Sequence, residues 1–472
     1  MSMKNLSLIS ACLLLGACGS TPAPLDSGLA APQWRYLAAG RSDASDIRQW
    51  WKAFGAPELD SLLQRALLNS QDLGAAVARV RQAQASAVIA GAPLLPELNA
   101  TLGASRQKLL RDSGYSGTDA TSDNDAVDSF SAGLSASYEV DFWGGRRAAY
   151  RSALESLKAS EYDRATVELT LLSGVANSYL QVLALREQQR IARLNLDNAE
   201  HVLRLVETRH AAGSATALEV AQQSSLVASQ RKQLPLLEQQ AHEALITLAT
   251  LIGEPVQALQ VAERPFDSLR WPETGAGLPS ELLSRRPDIA NAEAQLAAAQ
   301  ADVQVARAAL FPLTLSASLS SGANRAADTF RNPYYNLGAN LLAPIFNHGR
   351  LRAERDRSLA RQEELLETYR KAILTAFADT ERSLNSIDGL DRQLHWQQQE
   401  LEQAQRAFDL SDSRYQAGAE TLLTVLETQR TLYAAQDAAV QLRLARLQAS
   451  VGLYKALGGG WQSDRQGLAR KD

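Results

Sequence analysis

The sequence predicts an α+β membrane protein built from two similar halves, four β-strands and a pair of very long helical hairpins. Three observations carry this reading: an internal repeat, the placing of the prolines, and period-two alternation in four short segments. Residues 208–220, TRHAAGSATALEV, are matched without a gap by residues 413–425, SRYQAGAETLLTV, at an offset of 205 positions. The register persists to Leu248 against Leu453 and Gly253 against Gly458. Upstream, LLPELNATL (94–102) answers LFPLTLSASL (310–319), and DFWGGRR (141–147) answers IFNHGRLR (345–352). A repeat of about half the chain fixes the architecture before any local motif is read.

The amino terminus carries an address. Lys4 precedes the apolar run Leu6–Leu15, too short to cross a bilayer and ending in small residues, as a secretory signal does. Leu15-Gly16-Ala17-Cys18 has the form of a lipobox, so residues 1–17 are expected to be removed and Cys18 to carry a covalent lipid. An ordinary signal peptide that happens to end near a cysteine is the alternative. Cleavage before Cys18 also removes Cys12, the only other cysteine, and leaves no disulfide. Gly19, rather than Asp, follows the cysteine, which favours the outer membrane. No run of about 18 apolar residues occurs downstream, so any membrane crossing must use strands.

No proline lies between Pro96 and Pro235 or after Pro344, and these are the stretches where long helices can run unbroken. Within them Ala165, Leu169, Leu172, Ala176, Tyr179 and Leu183 step by four and three, a heptad seam. Leu366, Tyr369, Ile373, Ala376 and Thr380 repeat the pattern. Helices over 146–211 and 350–417 would each be roughly 100 Å long at 1.5 Å per residue. Ala212-Gly213 and Ala417-Gly418 supply natural C-caps, and a returning helix follows each, ending near Gly253 and Gly458.

The strand signal is equally regular. Across 129–143 the apolar set Phe130, Ala132, Leu134, Ala136, Tyr138, Val140 and Phe142 alternates with Ser129, Ser131, Gly133, Ser135, Ser137, Glu139 and Asp141. Leu98, Ala100, Leu102 and Ala104 form a second such run, Leu313 to Leu319 a third, and Tyr335 to Ile345 a fourth. Strands of about ten residues, apolar on one face and small-polar on the other, match a membrane barrel; a soluble antiparallel sheet is the alternative. Residues 106–127 and 322–332 are the expected hairpin loops. Four strands cannot close a barrel in lipid, so copies must associate. Two would give a filled eight-stranded barrel, and three a twelve-stranded one with room for a channel.

These features together resemble the outer membrane factor family, the TolC-like channels, and most closely its OprM-type lipoprotein (NodT-like) branch. The marks are Asp141-Phe142-Trp143-Gly144, Leu282-Leu283 with Arg285-Arg286-Pro287-Asp288-Ile289, Arg414-Tyr415 with Gly418 and Leu422-Leu423, and the terminal LYKALGGGW (453–461). Pro287 with Asp288 also reads as a helix start, and Phe142 and Trp143 as interfacial girdle aromatics.

The resemblance implies a homotrimer: a 12-stranded outer-membrane barrel continued by a long periplasmic α-helical barrel. It also implies docking to a periplasmic adaptor (membrane fusion protein) and an inner-membrane RND or ABC pump, which supplies the energy. The expected order is a signal peptide (1–17), a lipidated and belt segment (18–57), a first repeat (58–253), an equatorial linker (254–278), a second repeat (279–458) and a tail (459–472). Strands are expected at about 94–105, 129–143, 313–321 and 334–346, and helical hairpins at about 146–252 and 349–457. Carried over by position, the apolar constriction of the periplasmic gate falls on Leu423 and its acidic ring on Glu427, with Arg430 one turn further. This chain has Glu where the relatives usually have Asp. The repeat sets Leu218, Gln222 and Ser225 opposite them in the first half. From spacing alone, Glu427 and Arg430 also read as an i, i+3 surface pair.

Other functions are bounded by composition. Net charge is −4 with basic residues dispersed, which disfavours nucleic acid. His201, His210, His242, His348 and His395 form no i, i+4 metal-ligand pair, and no G-x-S-x-G elbow or phosphate-cradling loop is present. No catalysis and no cofactor beyond the lipid on Cys18 are expected. A stand-alone diffusion porin and a structural envelope lipoprotein are the competing readings; drugs, siderophores or similar small molecules are the expected cargo.

Overall fold

The computed structural model describes residues 34–35, 47–108, 126–272, 279, 282–309, 313–341 and 345–461. The first repeat gives α1 (Pro57–Asn69), α2 (Gln71–Gly91), β1 (Glu97–Gln107), β2 (Val127–Val140), α3 (Gly145–Ala211) and α4 (Ala217–Ile252). The second gives a single turn at Leu282–Arg285, then α5 (Pro287–Ala308), β3 (Leu313–Ala323), β4 (Tyr334–Leu341), α6 (Arg350–Gln416) and α7 (Leu422–Ala456). The 205-residue offset fixes the hairpins: α3 and α6 each hold 67 residues and begin and end at matched positions. The chain forms two compact units. One takes the described residues of Ala87–Glu155 and Gln295–Arg370; the other takes those of Ala31–Ser86, Ser156–Ala294 and Lys371–Asp472.

In the first unit the strands form one antiparallel sheet in the order β1-β2-β3-β4. Its register lines up the two faces that the alternation separates. Ala100 pairs with Leu134, Leu134 with Leu319 and Leu319 with Tyr335, while Asn99 pairs with Ser135, Ser135 with Ser318 and Ser318 with Asn336. The apolar face is open: Leu98 is 71% exposed, Leu102 85%, Leu337 73% and Tyr335 77%. On the polar face the strands crowd one another. A Cβ on Gly103 would lie 2.8 Å from Ser131 Oγ, and one on Gly338 2.9 Å from Ser316 Oγ. Close approach of the strands on the polar face is what a sheet curled toward that face produces.

The strand limits differ from expectation. β2 stops at Val140 instead of running to 143, because Asp141 accepts the backbone N–H groups of Arg146 and Arg147, both at 2.9 Å. That carboxylate caps the start of α3, where the helix dipole favours an anion. Gly144, at φ 73°, completes the turn. β4 is described as Tyr334–Leu341, and Ile345 and Phe346, expected within the strand, lie outside it and are exposed. β1 and β3 run slightly past their expected ends, to Gln107 and Ala323.

The second unit is helical. Leu169, Leu172, Ala176, Tyr179 and Leu183 of the first seam are all buried, as are Ile373, Ala376 and Thr380 of the second. Their core is completed by short segments of no regular pattern. Trp50, from the 3₁₀ stretch Ile47–Phe54, stacks on Tyr454 with ring centroids 5.2 Å apart, and Phe54, Phe266 and Leu269 are buried in the same cluster. Each large side chain so buried contributes about 1.5–3 kcal/mol.

Repeat symmetry reappears in the packing. Gly253, at φ 79°, lies so close to the end of α1 that a Cβ would stand 2.4 Å from Asn69 O; Gly458, at φ 88°, would place one 2.0 Å from Arg285 O. Beside the latter, buried Arg286 donates to Asp288 at 2.7 Å and to Asp379 at 3.3 Å, which accounts for the Arg-Pro-Asp motif. The returning helix α4 ends at Ile252, near the expected Gly253, and runs through Pro235. The lost helix bond is offset by packing of Leu234 and Leu237 against Leu185 and Ala192.

Candidate functional site

The predicted gate residues lie just beyond the tips of the helical hairpins, and local chemistry builds both tips alike. α3 stops because Gly213 adopts φ 75°, letting Gly213 N–H bond His210 O at 2.9 Å and Ser214 N–H bond Arg209 O at 2.8 Å. α6 stops the same way at Gly418, φ 77°, with Gly418 N–H on Tyr415 O at 2.9 Å and Ala419 N–H on Arg414 O at 2.9 Å. This left-handed C-cap satisfies carbonyls that a helix end would otherwise leave bare.

The returning helices start on matched threonines whose chemistry differs. Thr216 and Glu219 form a capping box at α4, with Glu219 N–H on Thr216 Oγ1 at 3.2 Å and Thr216 N–H on Glu219 Oε2 at 2.6 Å. At α7 the matching position holds Thr424, whose N–H reaches Thr421 Oγ1 at 3.4 Å. The carboxylate there comes instead from Glu420, which accepts from Thr421 N–H and Thr424 Oγ1, both at 3.1 Å. The Thr421 amide, then the Thr424 hydroxyl, hold the Glu420 carboxyl below its ordinary range.

The two tips of one chain are tied together by Arg209. Its guanidinium donates to Tyr415 O at 2.7 Å and Gln416 O at 3.0 Å, and lies 4.3 Å from the centroid of the Tyr415 ring. A cation at a helix C-terminus and over an aromatic face is favourable on both counts. Burial pushes the Tyr415 phenol up, against the pull of Arg209.

Beyond the cap, one face of α7 is packed and another is not. Leu422, Val425, Leu426, Gln429 and Leu432 are buried. Leu423, 57% exposed, together with Glu427 and Arg430, both exposed, follows at i, i+4 and i+7 on the open face. Among the described residues no ion pair joins Glu427 to Arg430. In the first repeat Leu218 is 66% exposed, Ser225 is exposed and Gln222 is half-buried. The structure thus gathers each predicted triplet on one helix face, apolar–acidic–basic in one half and uncharged in the other. Cys18 lies outside the described residues.

Sequence reasoning left out Arg209 and Glu420. The signal was present: Arg209 and Arg414 are matched by the repeat, whereas Glu420 faces Ala215. Among the described residues no group of three or more His, Cys, Asp or Glu is arranged to hold a metal, and no helix is long and apolar enough to cross a membrane.

A sheet with one open apolar face, carried with long capped hairpins on a duplicated chain, defines a membrane channel subunit. Comparison with known proteins specifies which kind. The model of the outer membrane efflux protein family matches residues 62–254 and 278–459, and the chain belongs to that family of TolC-like channels. It is 99% identical over 474 residues, covering 100% of both chains, to the pyoverdine export outer membrane protein OpmQ of Pseudomonas aeruginosa. It is 59% identical over 463 residues, 98% of each chain, to the protein of that name in Pseudomonas putida. Among solved structures it is similar to the outer-membrane channel OprN, with a TM-score of 0.86 at 27% identity over 94% of this chain and 100% of that one. The protein is therefore the outer-membrane channel component of a bacterial tripartite system exporting small molecules, and a conduit without catalysis.

Proposed function

We propose that three copies form the conduit and that its cargo is a pyoverdine-type siderophore. The near-identity over the full length to a protein named for pyoverdine export carries the cargo assignment. The test compares cells with and without this chain, measuring siderophore in the medium and in the periplasm. Retention in the periplasm with loss from the medium is expected; undiminished export overturns the assignment.

The sheet supports the association of copies. Among the described residues its order leaves β1 and β4 each paired on one side only, and its apolar face is exposed. Backbone groups facing lipid must be paired, so β4 of one copy meets β1 of the next. Three copies give twelve strands with the small-polar face turned inward, wide enough for a wet lumen. The same operation brings the long helices of three copies into a periplasmic tunnel.

The tunnel closes at the hairpin tips, where three Leu423 side chains narrow and dewet the passage. Three Glu427 carboxylates form a ring that disfavours anions, with Arg430 behind it. An adaptor and an inner-membrane RND or ABC pump load the channel, and a lipid on Cys18 anchors each chain in the outer membrane. The segments 18–57, 254–278 and 459–472 serve as belt and tail around the middle.

A further inference from the structure

We propose that a tryptophan anchor joins the copies well away from the hairpin tips. Trp396 on α6 of one copy seats on Pro235 and Leu236 of α4 in the next, and Glu400 pairs with Lys232 beside it. The proposal rests on the trimeric reading and names the seam at which the helical parts of the copies meet.

The observation behind it is a large ring left in water. Trp396 is the most exposed of the seven tryptophans, at 67%. Its ring contact is with the adjacent His395, edge to face, with centroids 5.2 Å apart. An exposed indole on a long helix is the kind of side chain that dominates an interface once covered. On α4 Leu236 is 46% exposed, and the exposed Pro235 ring extends its apolar patch. One turn nearer the tips on each helix stands a charge, Glu400 on α6 and Lys232 on α4. Both are exposed, and among the described residues neither has an ion pair.

Packing within the chain decides which helices are left to face a neighbour. α3 and α7 hold the middle: Tyr433 Oη–H donates to Asn195 O at 2.9 Å, and Gln188 Nε2 to Asp437 Oδ1 at 2.6 Å. α4 lies on α3, where Gln223 Nε2 donates to Ala199 O at 2.8 Å. α6 lies on α7, where Gln397 Nε2 donates to Ala435 O at 3.0 Å. The flanking helices are thus α4 and α6, and closing a ring of copies brings α6 of one against α4 of the next.

Height then selects the residues that meet. Rotation about a cyclic axis carries no translation along it, so positions at one level face each other. The tips give a common level, since Arg209 of the first bonds Gln416 O of the second. At 1.5 Å per residue, Trp396 lies about 30 Å from the end of α6 and Leu236 about 28 Å from the start of α4. Glu400 lies about 24 Å and Lys232 about 22 Å from the same ends. An apolar pair and an opposite-charge pair therefore coincide in level, one turn apart. Held there, the copies stay together independently of the state of Leu423 and Glu427.

Cross-linking and charge exchange test the seam separately from the trimer. Native mass spectrometry reports assembly, and a stable monomer overturns both readings. In assembled protein the pair Trp396→Cys with Leu236→Cys, treated with a short bismaleimide, should give covalent species of two and three chains. The pair Gln398→Cys with Glu238→Cys, on other faces of the same helices, should leave single chains. Trimers that fail to link through 396 and 236 overturn the seam alone. Dissociation of detergent-solubilised trimers on dilution reads its strength. Trp396→Ala should weaken association about thirtyfold at each seam, as loss of an interface anchor implies. Glu400→Lys should weaken it about twofold to fivefold, and adding Lys232→Glu should restore it. A charge exchange that fails to restore association, or a Trp396→Ala trimer as stable as the original, contradicts the seam.

Discussion

Glu427 and Arg430 stand on the open face of α7, while their first-repeat counterparts, Gln222 and Ser225, carry no charge. The repeat builds equal hairpins, and the side chains that break it sit just beyond the tips. The double variant Leu423→Ala with Glu427→Ala is expected to raise single-channel conductance in planar bilayers; unchanged conductance removes both residues from the constriction. The tip chemistry was only partly legible. Gly213 and Gly418 were readable as C-caps because the left-handed turn selects glycine. The Arg209 bond to Tyr415 and Gln416 was not, since it joins residues about 200 positions apart and no local spacing encodes it. A second residue-scale expectation concerns Gly458, which combines φ 88° with a Cβ position 2.0 Å from Arg285 O. Gly458→Ala should destabilise by about 1–3 kcal/mol or more, read as a lowered thermal unfolding midpoint. An unchanged midpoint would mean that the turn rearranges freely.

At the scale of elements, the long helices are set by what the sequence omits as much as by what it contains. Without proline or glycine clusters, a helix continues for 67 residues in each half and stops just before a left-handed glycine. Pro235 shows the limit of that rule, because packing along α4 outweighs one lost hydrogen bond. Alternation located the four strands through residues such as Leu134 and Ser135 but overran their ends. Asp141 continues the polar period, yet its carboxylate is better used on the Arg146 and Arg147 amides, and no period carries that information.

Elements of the helical unit are also clamped by charge. Arg65 of α1 forms a two-pronged ion pair with Glu254, just past α4, and Asn69 donates to the same carboxylate at 3.1 Å. Arg65 first, and Asn69 with it, hold the Glu254 carboxyl below its ordinary value. A carboxylate lowered by folding adds stability that is fully present above its unfolded pKa of about 4.3 and is lost as pH falls through the depressed folded value. The thermal midpoint should accordingly drop in acid below about pH 4, and Glu254→Gln should flatten that decline. An identical acid limb in the variant would show that the pair contributes nothing to it.

For the whole molecule, the decisive facts are an unclosed sheet and an exposed apolar face on a chain of the TolC-like family. Leu98, Leu102, Tyr335 and Leu337 are exposed in one chain, which a lone subunit in water tolerates poorly. They become favourable when lipid covers them and the edges β1 and β4 are joined between copies. Fold class and family were readable from the repeat, the prolines and the alternation together, because each constrains a different element. The core around Trp50, Phe54, Phe266 and Leu269 was not, since those residues come from short irregular segments whose partners lie in distant helices. Closure by three copies is the claim on which barrel, tunnel and gate all depend. Native mass spectrometry of the full-length protein released from membranes into detergent measures it directly. The expected result is a species of three chains with no stable monomer; a stable monomer, or a dimer as the largest assembly, would contradict it.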